Sequence, residues 1–322
     1  MKLLVTGGAG YIGSHTVRLL IKEGYELVVF DSLENGHKES LPENVELIVG
    51  NLSDTDKLNE VFKKHKIDAV MHFAGYIEAG ESMKDPLKFF ENNFCNGMKL
   101  VKAMLANKVD KIIFSSSAAV YGNPKAIPIT EDSEKIPTNY YGRSKLMFEQ
   151  LLDACKVNGL KSISLRYFNA AGAAFGIGED HDPETHLIPL VLEVPLGKRE
   201  HITIFGTDYD TKDGTCVRDY IHVLDLARAH VLALKSLLKG KEGKYNLGSE
   251  KGYSVKEVIA AAAEVTGKAI KAVEAGRREG DPPFLIASSE KIKKELGWKP
   301  EYGLRDIIKS AWDWHKSHPE GF

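Results

Sequence analysis

Cysteine is scarce in this chain: three thiols, Cys95, Cys155 and Cys216, stand in 322 residues. They are odd in number, scattered and without CxxC spacing. That excludes a disulfide framework and a cysteine-based zinc site, leaves the thiols a packing role, and points to the reducing cytoplasm as the working compartment. Surplus charge is missing as well. With 43 basic and 45 acidic residues the formal charge is -2, without the basic excess of a nucleic-acid or membrane-surface binder. No apolar run approaches the roughly 18 residues of a membrane span, and the first strand-like run starts so early that a signal peptide has no room. Internal repeats and low-complexity segments are absent too.

What is present is glycine at chosen places. Thr6-Gly7-Gly8-Ala9-Gly10-Tyr11-Ile12-Gly13 follows the apolar run Leu3 to Val5 and opens a helix-like stretch from Tyr11 to Glu23. It reads as Gly8-x-Gly10-x-x-Gly13 or as Gly7-x-x-Gly10-x-x-Gly13. In either reading the backbone turns tightly, approaches a pyrophosphate without a Cβ and aims a helix N-terminus at the anion. A tight βα turn without a ligand gives the same pattern, so the context decides. A second apolar run, Leu27 to Phe30, ends in Asp31, where such units place a carboxylate for the adenosine ribose hydroxyls. The same carboxylate repels a 2′-phosphate, which favours NAD over NADP.

Strand-like runs recur at Leu3 to Val5, Leu27 to Phe30, Val45 to Val49, Ala69 to Phe73, Lys111 to Ser115 and Ser162 to Phe168, with amphipathic stretches between them. One helix is expected after Ser53-Asp54, and another after Pro86 carrying Leu87, Phe90, Phe94, Met98 and Val101. The alternation predicts an α/β fold, a doubly wound parallel sheet of Rossmann type with a second, smaller α/β lobe for substrate. The pattern loosens after Ala170, a short helix is expected near Leu187 to Val194, and strand-then-helix character returns from Tyr220 to Leu238. The expected division is therefore discontinuous: 1–169 with about 216–240 as the dinucleotide lobe, and about 170–215 with 241–322 as the other. The acidic turn Glu179-Asp180-His181-Asp182-Pro183 matches no metal-ligand spacing and reads as a solvated loop, so no metal is expected. His186 fits a helix start at least as well as a ligand.

Tyr141-Gly142-Arg143-Ser144-Lys145 opens a helical segment that places a phenol and an ammonium four apart, on one face. An ammonium close to a phenol favours the phenolate and brings it toward general-base work. A surface tyrosine with a solvated lysine is the alternative for an isolated YxxxK. Here the strand Ile112 to Phe114 also ends in Ser115-Ser116-Ser117, placing hydroxyls at the carboxyl edge of the sheet, where ligands bind in such folds.

Glycine turn, strand-edge serine and YxxxK, in this order and over essentially the whole chain, closely resemble the extended short-chain dehydrogenase/reductase family. Within it, the strings His72 to Gly75, Ser115 to Gly122, Arg166 to Asn169, Asp213 to Val223 and Arg277 to Asp281 are similar to the UDP-glucose 4-epimerases. The resemblance implies reversible interconversion of UDP-glucose and UDP-galactose with tightly held NAD. Tyr141 takes the proton of the sugar 4-hydroxyl while C4 gives hydride to NAD. Lys145 bridges the nicotinamide ribose and lowers the Tyr141 pKa, and Ser117 bonds the reacting oxygen. The 4-keto sugar then turns, with its UDP anchored, and hydride returns to the other face.

By position, the resemblance assigns Gly7, Gly10, Tyr11, Ile12, Gly13, Asp31, Ser32, Asn35, Gly36, Asn51, Leu52, Phe73, Ala74, Gly75, Asn92, Ser115, Tyr141, Lys145 and Phe168 to NAD. It assigns Ser117, Tyr141, Asn169, Leu187, Thr203, Phe205, Arg218, Arg278 and Asp281 to the UDP-sugar, the two arginines suiting the diphosphate. It further implies a homodimer through helices within Leu87 to Ala106 and Tyr141 to Val157. Three positions depart from the family pattern. Asn51 stands where relatives usually have Asp and Ile77 where many have Lys; both bear on the tightness of NAD binding. Leu285 is intermediate at a position linked to N-acetylated sugars, which leaves UDP-GlcNAc open, as UDP-uronates are. A 4,6-dehydratase is disfavoured because it needs an acidic pair near Ser116 and Ser117. A non-catalytic cofactor-sensing protein is the alternative of another class, against which the intact Ser117, Tyr141 and Lys145 count.

Overall fold

A computed structural model of the chain describes residues 1–278 and 280–322. Among these, the strands are β1 (Lys2–Thr6), β2 (Glu26–Asp31), β3 (Glu46–Val49), β4 (Ala69–His72), β5 (Lys111–Ser117), β6 (Lys161–Tyr167), β7 (Asn169–Ala171), β8 (Ile202–Phe205), β9 (Val217–His222), β10 (Gly243–Leu247), β11 (Gly252–Ser254), β12 (Ala272–Ala275) and β13 (Phe284–Leu285). The α-helices are α1 (Tyr11–Lys22), α2 (Thr55–Lys64), α3 (Ala79–Lys84), α4 (Pro86–Phe89), α5 (Asn96–Ala106), α6 (Tyr140–Ala154), α7 (Leu187–Leu196), α8 (Val223–Leu237), α9 (Val255–Thr266), α10 (Glu290–Leu296) and α11 (Leu304–Ser317). None is long and apolar enough to cross a membrane. The three cysteines are free thiols, Cys216 buried and the others half-buried.

The chain divides into two units. The first comprises Met1–Gly122, Glu134–Arg166 and Ala227–Tyr245, and the second Asn123–Ser133, Tyr167–Leu226 and Asn246–Phe322. A seven-stranded sheet in the order β10-β6-β5-β4-β1-β2-β3 forms the centre of the first unit. Its inner strands are apolar without alternation because both faces are covered: Leu3, Leu4 and Val5 of β1 and Ala69, Val70 and Met71 of β4 are fully buried. Register follows from that burial, Leu4 standing beside Val28 on one side and Val70 on the other. The strand order reverses at β1, which pairs with β2 and with β4. This is the topological switch point, and ligands of such sheets bind beyond the carboxyl ends of those strands.

Helix ends follow local chemistry. Asp54 accepts from the Lys57 amide and starts α2, and Asp85 with Pro86 at the first helical position starts α4. The single helix expected after Pro86 is instead three pieces: α4, a π-helical turn over Phe90–Cys95, and α5. Asn93 is buried within that π-helical turn.

The second unit is built on β9, which pairs with β11, β13 and β7; β12 and β8 form a separate parallel pair. Because β9 hydrogen-bonds to these strands, residues 217–226, expected with the dinucleotide lobe, group with the second unit. Its core gathers Ile188, Val191 and Leu192 of α7, Val258 and Ala262 of α9, and Ile307, Ile308 and Ala311 of α11. A Ser254–Glu257 capping box fixes the start of α9.

Candidate active site

The turn after β1 has the features of an anion seat. Gly10 is the N-cap of α1, no side chain caps the helix, and its first turn carries no acidic residue, so its end keeps the positive character of free N–H groups. At Gly13 a Cβ would collide with the Gly7 carbonyl oxygen, which is why this position must be glycine for the helix to close onto the turn. Asp31 ends β2 and is 7% exposed; its two oxygens accept the Ala9 and Leu33 amides at 2.8 and 2.9 Å. Burial raises its carboxyl, and those two amides draw it back. Two lone pairs remain for ribose hydroxyls. These residues therefore fit a dinucleotide.

The other expected cofactor residues of the first unit lie on loops that follow its strands. Ser32, Asn35 and Gly36 follow β2; Asn51 and Leu52 follow β3; Phe73, Ala74 and Gly75 follow β4. Asn51 Oδ1 accepts the Ser53 amide at 2.9 Å, Leu52 is buried in the core, and Phe73 lies against the His230 ring at 4.7 Å. Asn92 sits in the π-helical turn, but its neighbour Asn93 does the holding, a residue not picked out from the sequence. Asn93 Oδ1 accepts the Tyr76 amide at 2.8 Å, and Nδ2 donates to the Tyr76 carbonyl and to Ser144 Oγ. Tyr76 in turn donates its hydroxyl to Glu34 at 2.7 Å, joining the loops after β2 and β4. Phe168, also expected at NAD, falls in the second unit and is buried there.

Ser117, Tyr141 and Lys145 come together in the first unit. Asn139 caps α6 by accepting the Gly142 amide at 2.8 Å, and a Cβ at Gly142 would collide with the Ala119 carbonyl. That glycine lets α6 approach the end of β5 closely enough for the Ser117 hydroxyl to act on the Tyr141 phenol. Ser117 Oγ also accepts the Ala119 amide at 3.1 Å. Lys145 is 3% exposed; its ammonium donates to the Ser115 carbonyl at 2.9 Å and lies 5.8 Å from the Tyr141 ring centre.

Burial outweighs the lowering of the Tyr141 pKa expected from Lys145. Burial raises the phenol, the Ser117 hydroxyl draws it down and Glu78 raises it, with an upward net effect. Burial also pushes Lys145 down to about 8. Desolvation outweighs mutual assistance here. His72, buried beneath and bonded to Thr6 Oγ1 at 2.7 Å, is pushed down to about 3 by burial and by the Lys145 charge, and so is a neutral packing group.

A buried ion pair underlies the trio. Arg166 and Glu149 are each 1% exposed and form a two-pronged pair, Nε to Oε1 at 2.9 Å and Nη2 to Oε2 at 2.6 Å. Ser116 donates to Glu149 at 2.6 Å, and Arg166 donates to the Tyr121 hydroxyl at 2.7 Å. Thus α6, which carries Tyr141 and Lys145, is tied to the end of β5, which carries Ser117. Ser116 is spent in that tie. Glu149 carries no sequence signal beyond a charge on a helical face, so only the structure shows it.

In the second unit, Arg218 and Arg278 converge on one carboxylate. Arg218 Nη2 lies 3.4 Å and Arg278 Nε 3.3 Å from the two oxygens of Asp281. Arg218 is further fixed by the Pro282 carbonyl at 2.8 Å, while the Arg278 guanidinium lies 4.7 Å over the Phe205 ring. Asn169 donates to the Asp219 carbonyl, next to Arg218, at 2.9 Å. Thr203 shares β8 with Phe205, whereas Leu187 begins α7 and packs in the core of this unit. Two paired guanidinia beside an exposed aromatic ring suit a nucleoside diphosphate. Glu279 of the same string lies outside the described residues.

The acidic turn is not a solvated loop. Glu179 is 4% exposed, and its carboxylate meets His181 and His186. Burial pulls the other way, but bonds to Glu179 and Glu184 raise His181 to about 9. Glu179 is buried where Asp180 accepts the Phe322 amide at 3.0 Å and the Trp314 ring lies against Gly178, while Asp182 and Pro183 stay exposed.

A dinucleotide seat at a switch point and a Ser-Tyr-Lys trio on one α/β unit define a short-chain dehydrogenase/reductase type of enzyme. The chain belongs to the NAD dependent epimerase/dehydratase family, which matches residues 3–248. It is 52% identical to a UDP-glucose 4-epimerase of Halalkalibacterium halodurans, over 100% of this chain and 98% of the other. A crystal structure of a UDP-glucose 4-epimerase superposes with a TM-score of 0.97 at 49% identity, covering 100% of this chain and 99% of that one. The Bifidobacterium longum UDP-glucose 4-epimerase, solved in complex with NAD+ and UDP, gives 0.95 at 40% identity with both chains fully covered.

Proposed function

We infer that this chain is an NAD-dependent isomerase interconverting UDP-glucose and UDP-galactose at sugar C4. The observation that carries the reading is the buried Lys145 ammonium 5.8 Å from the Tyr141 ring centre and bonded to the strand end that carries Ser117, on the unit that also holds the dinucleotide seat. The Gly7 to Gly13 turn and α1 would hold the pyrophosphate, Asp31 the adenosine ribose, Asn51 and Leu52 the adenine, and Lys145 the nicotinamide ribose. When bound, NAD supplies a reversible hydride acceptor for sugar C4 and an added positive charge. Tyr141 Oη takes the proton of the 4-hydroxyl and later returns it. Ser117 Oγ orients the reacting oxygen, and Lys145 stabilises the phenolate. Arg218 and Arg278 anchor the diphosphate in place of their present hold on Asp281. Ser116 is committed to Glu149, and neither it nor Ser117 can protonate a leaving water well, so elimination is not supported.

Incubating the NAD-loaded protein with UDP-galactose and following UDP-glucose tests the reading; no conversion overturns it. The substrate panel includes UDP-GlcNAc, because Leu285 stands in register with Arg218 across β13 and β9, and UDP-GlcA. Arg218→Ala is expected to raise the KM for UDP-galactose roughly 10- to 100-fold with little change in kcat, since a diphosphate contact acts on ground and transition states alike. An unchanged KM removes Arg218 from the anchor. The same proposal includes a homodimer through the helices of residues 87–106 and 141–157, supported by Leu87 and Val157 being 76% and 88% exposed. Sedimentation as a monomer at micromolar concentration overturns that part.

A further inference from the structure

We propose that Glu179, His181, Glu184 and His186 form a closed structural site for one divalent cation of zinc type, pinning the loop that leads into α7. One ligand atom from each of the four lies within 4.8 Å of all the others. His186 Nδ1 is 2.9 Å from both Glu179 Oε1 and Glu184 Oε1; His181 Nδ1 is 3.2 Å from Glu179 Oε1 and 3.8 Å from Glu184 Oε2. A tetrahedral zinc ion with bonds of about 2.0–2.2 Å sets its ligand atoms roughly 3.3–3.6 Å apart, and these spacings straddle that range.

Ion pairing alone satisfies this arrangement poorly. The single N–H at His186 Nδ1 cannot point at two oxygens, both 2.9 Å away, with good geometry to each. A cation at the centre takes the lone pairs of both imidazoles and both carboxylates at once, and offsets the repulsion of the buried Glu179 and half-buried Glu184 carboxylates. Supporting contacts of the kind that orient metal ligands are already present: Glu184 Oε1 accepts the Thr185 and His186 amides, each at 2.6 Å. Four protein ligands leave no open position, which marks a structural site. Its reach is local to the second unit. His186 is the N-cap of α7, and Asp180 of the same loop holds the Phe322 amide.

The test uses the untagged full-length chain with its NAD, purified from zinc-supplemented medium and desalted. Elemental analysis is expected to find about one zinc per chain. Cobalt(II) in its place is expected to give the intense visible bands of a tetrahedral site. Chelation is expected to lower the melting temperature of the wild type by about 3 °C or more, and not that of a His181→Asn/His186→Asn variant. Glu184→Gln, which keeps an oxygen for the two backbone amides, is expected to weaken zinc binding at least about tenfold. Wild-type protein holding under a tenth of a zinc per chain, or a double variant that keeps the wild-type content, overturns the site. So does a melting temperature indifferent to chelator. If the double variant does not fold, the wild-type zinc content and Glu184→Gln still decide.

Discussion

Tyr141→Phe is expected to lower turnover of UDP-galactose by about 10²- to 10⁴-fold while leaving the fold and the NAD content unchanged. The ring stays and only its hydroxyl goes. Ser117 Oγ keeps its bond from the Ala119 amide at the end of β5. What is lost is the group that moves the proton of the sugar hydroxyl. Burial holds the phenol above its ordinary pKa, so positive charge nearby, of which the Lys145 ammonium is one source, helps it give up its proton. Turnover within about threefold of wild type, in protein that melts normally and carries its NAD, removes Tyr141 from proton transfer.

Glu149→Ala is expected to destabilise the chain by about 3–5 kcal/mol, read from denaturant unfolding, because it leaves the Arg166 guanidinium buried without its counter-charge. The same substitution unties Ser116 and loosens α6 from β5, so activity is expected to fall as well, although Glu149 bonds Ser116 and not the trio itself. The cause can be separated from simple loss of packing. The double variant Glu149→Leu with Arg166→Met removes both charges and keeps most of the volume, and it is expected to recover most of the lost stability. A double variant as unstable as Glu149→Ala contradicts the unpaired-charge account, and a single variant within about 1 kcal/mol of wild type removes the pair from the stability of the first unit.

Most of the first unit was legible in the chain. The apolar runs ending at Val5, Phe30, Val49, Phe73 and Ser115 lie within about two residues of the observed strand ends, because parallel strands covered on both faces have to be continuously apolar. Helices with a chemical start signal, after Asp54 and at Pro86, were equally readable. The π-helical turn within the second was not, because helical periodicity averages over a one-residue slip. The second unit was less legible. Its strands are short and mixed in direction, and β9 reads like a return to the first sheet until its partners are seen. The Ser254–Glu257 capping box that starts α9 was an available signal that the loosened pattern hid.

By itself the sequence determined the glycine turn and its acid at Asp31, the serine at a strand end and the Tyr–Lys spacing. Each is a matter of local chemistry, carried by one residue type at one spacing. The tertiary structure alone decided which charges are buried together. Glu149 and Arg166 stand 17 residues apart along the chain, and the acidic turn at Glu179 reads as solvated although Trp314 and Phe322 pack beside it. A side chain's charge is written in the chain, but the cost of holding that charge depends on what excludes water from it, and those groups arrive from elsewhere in the fold.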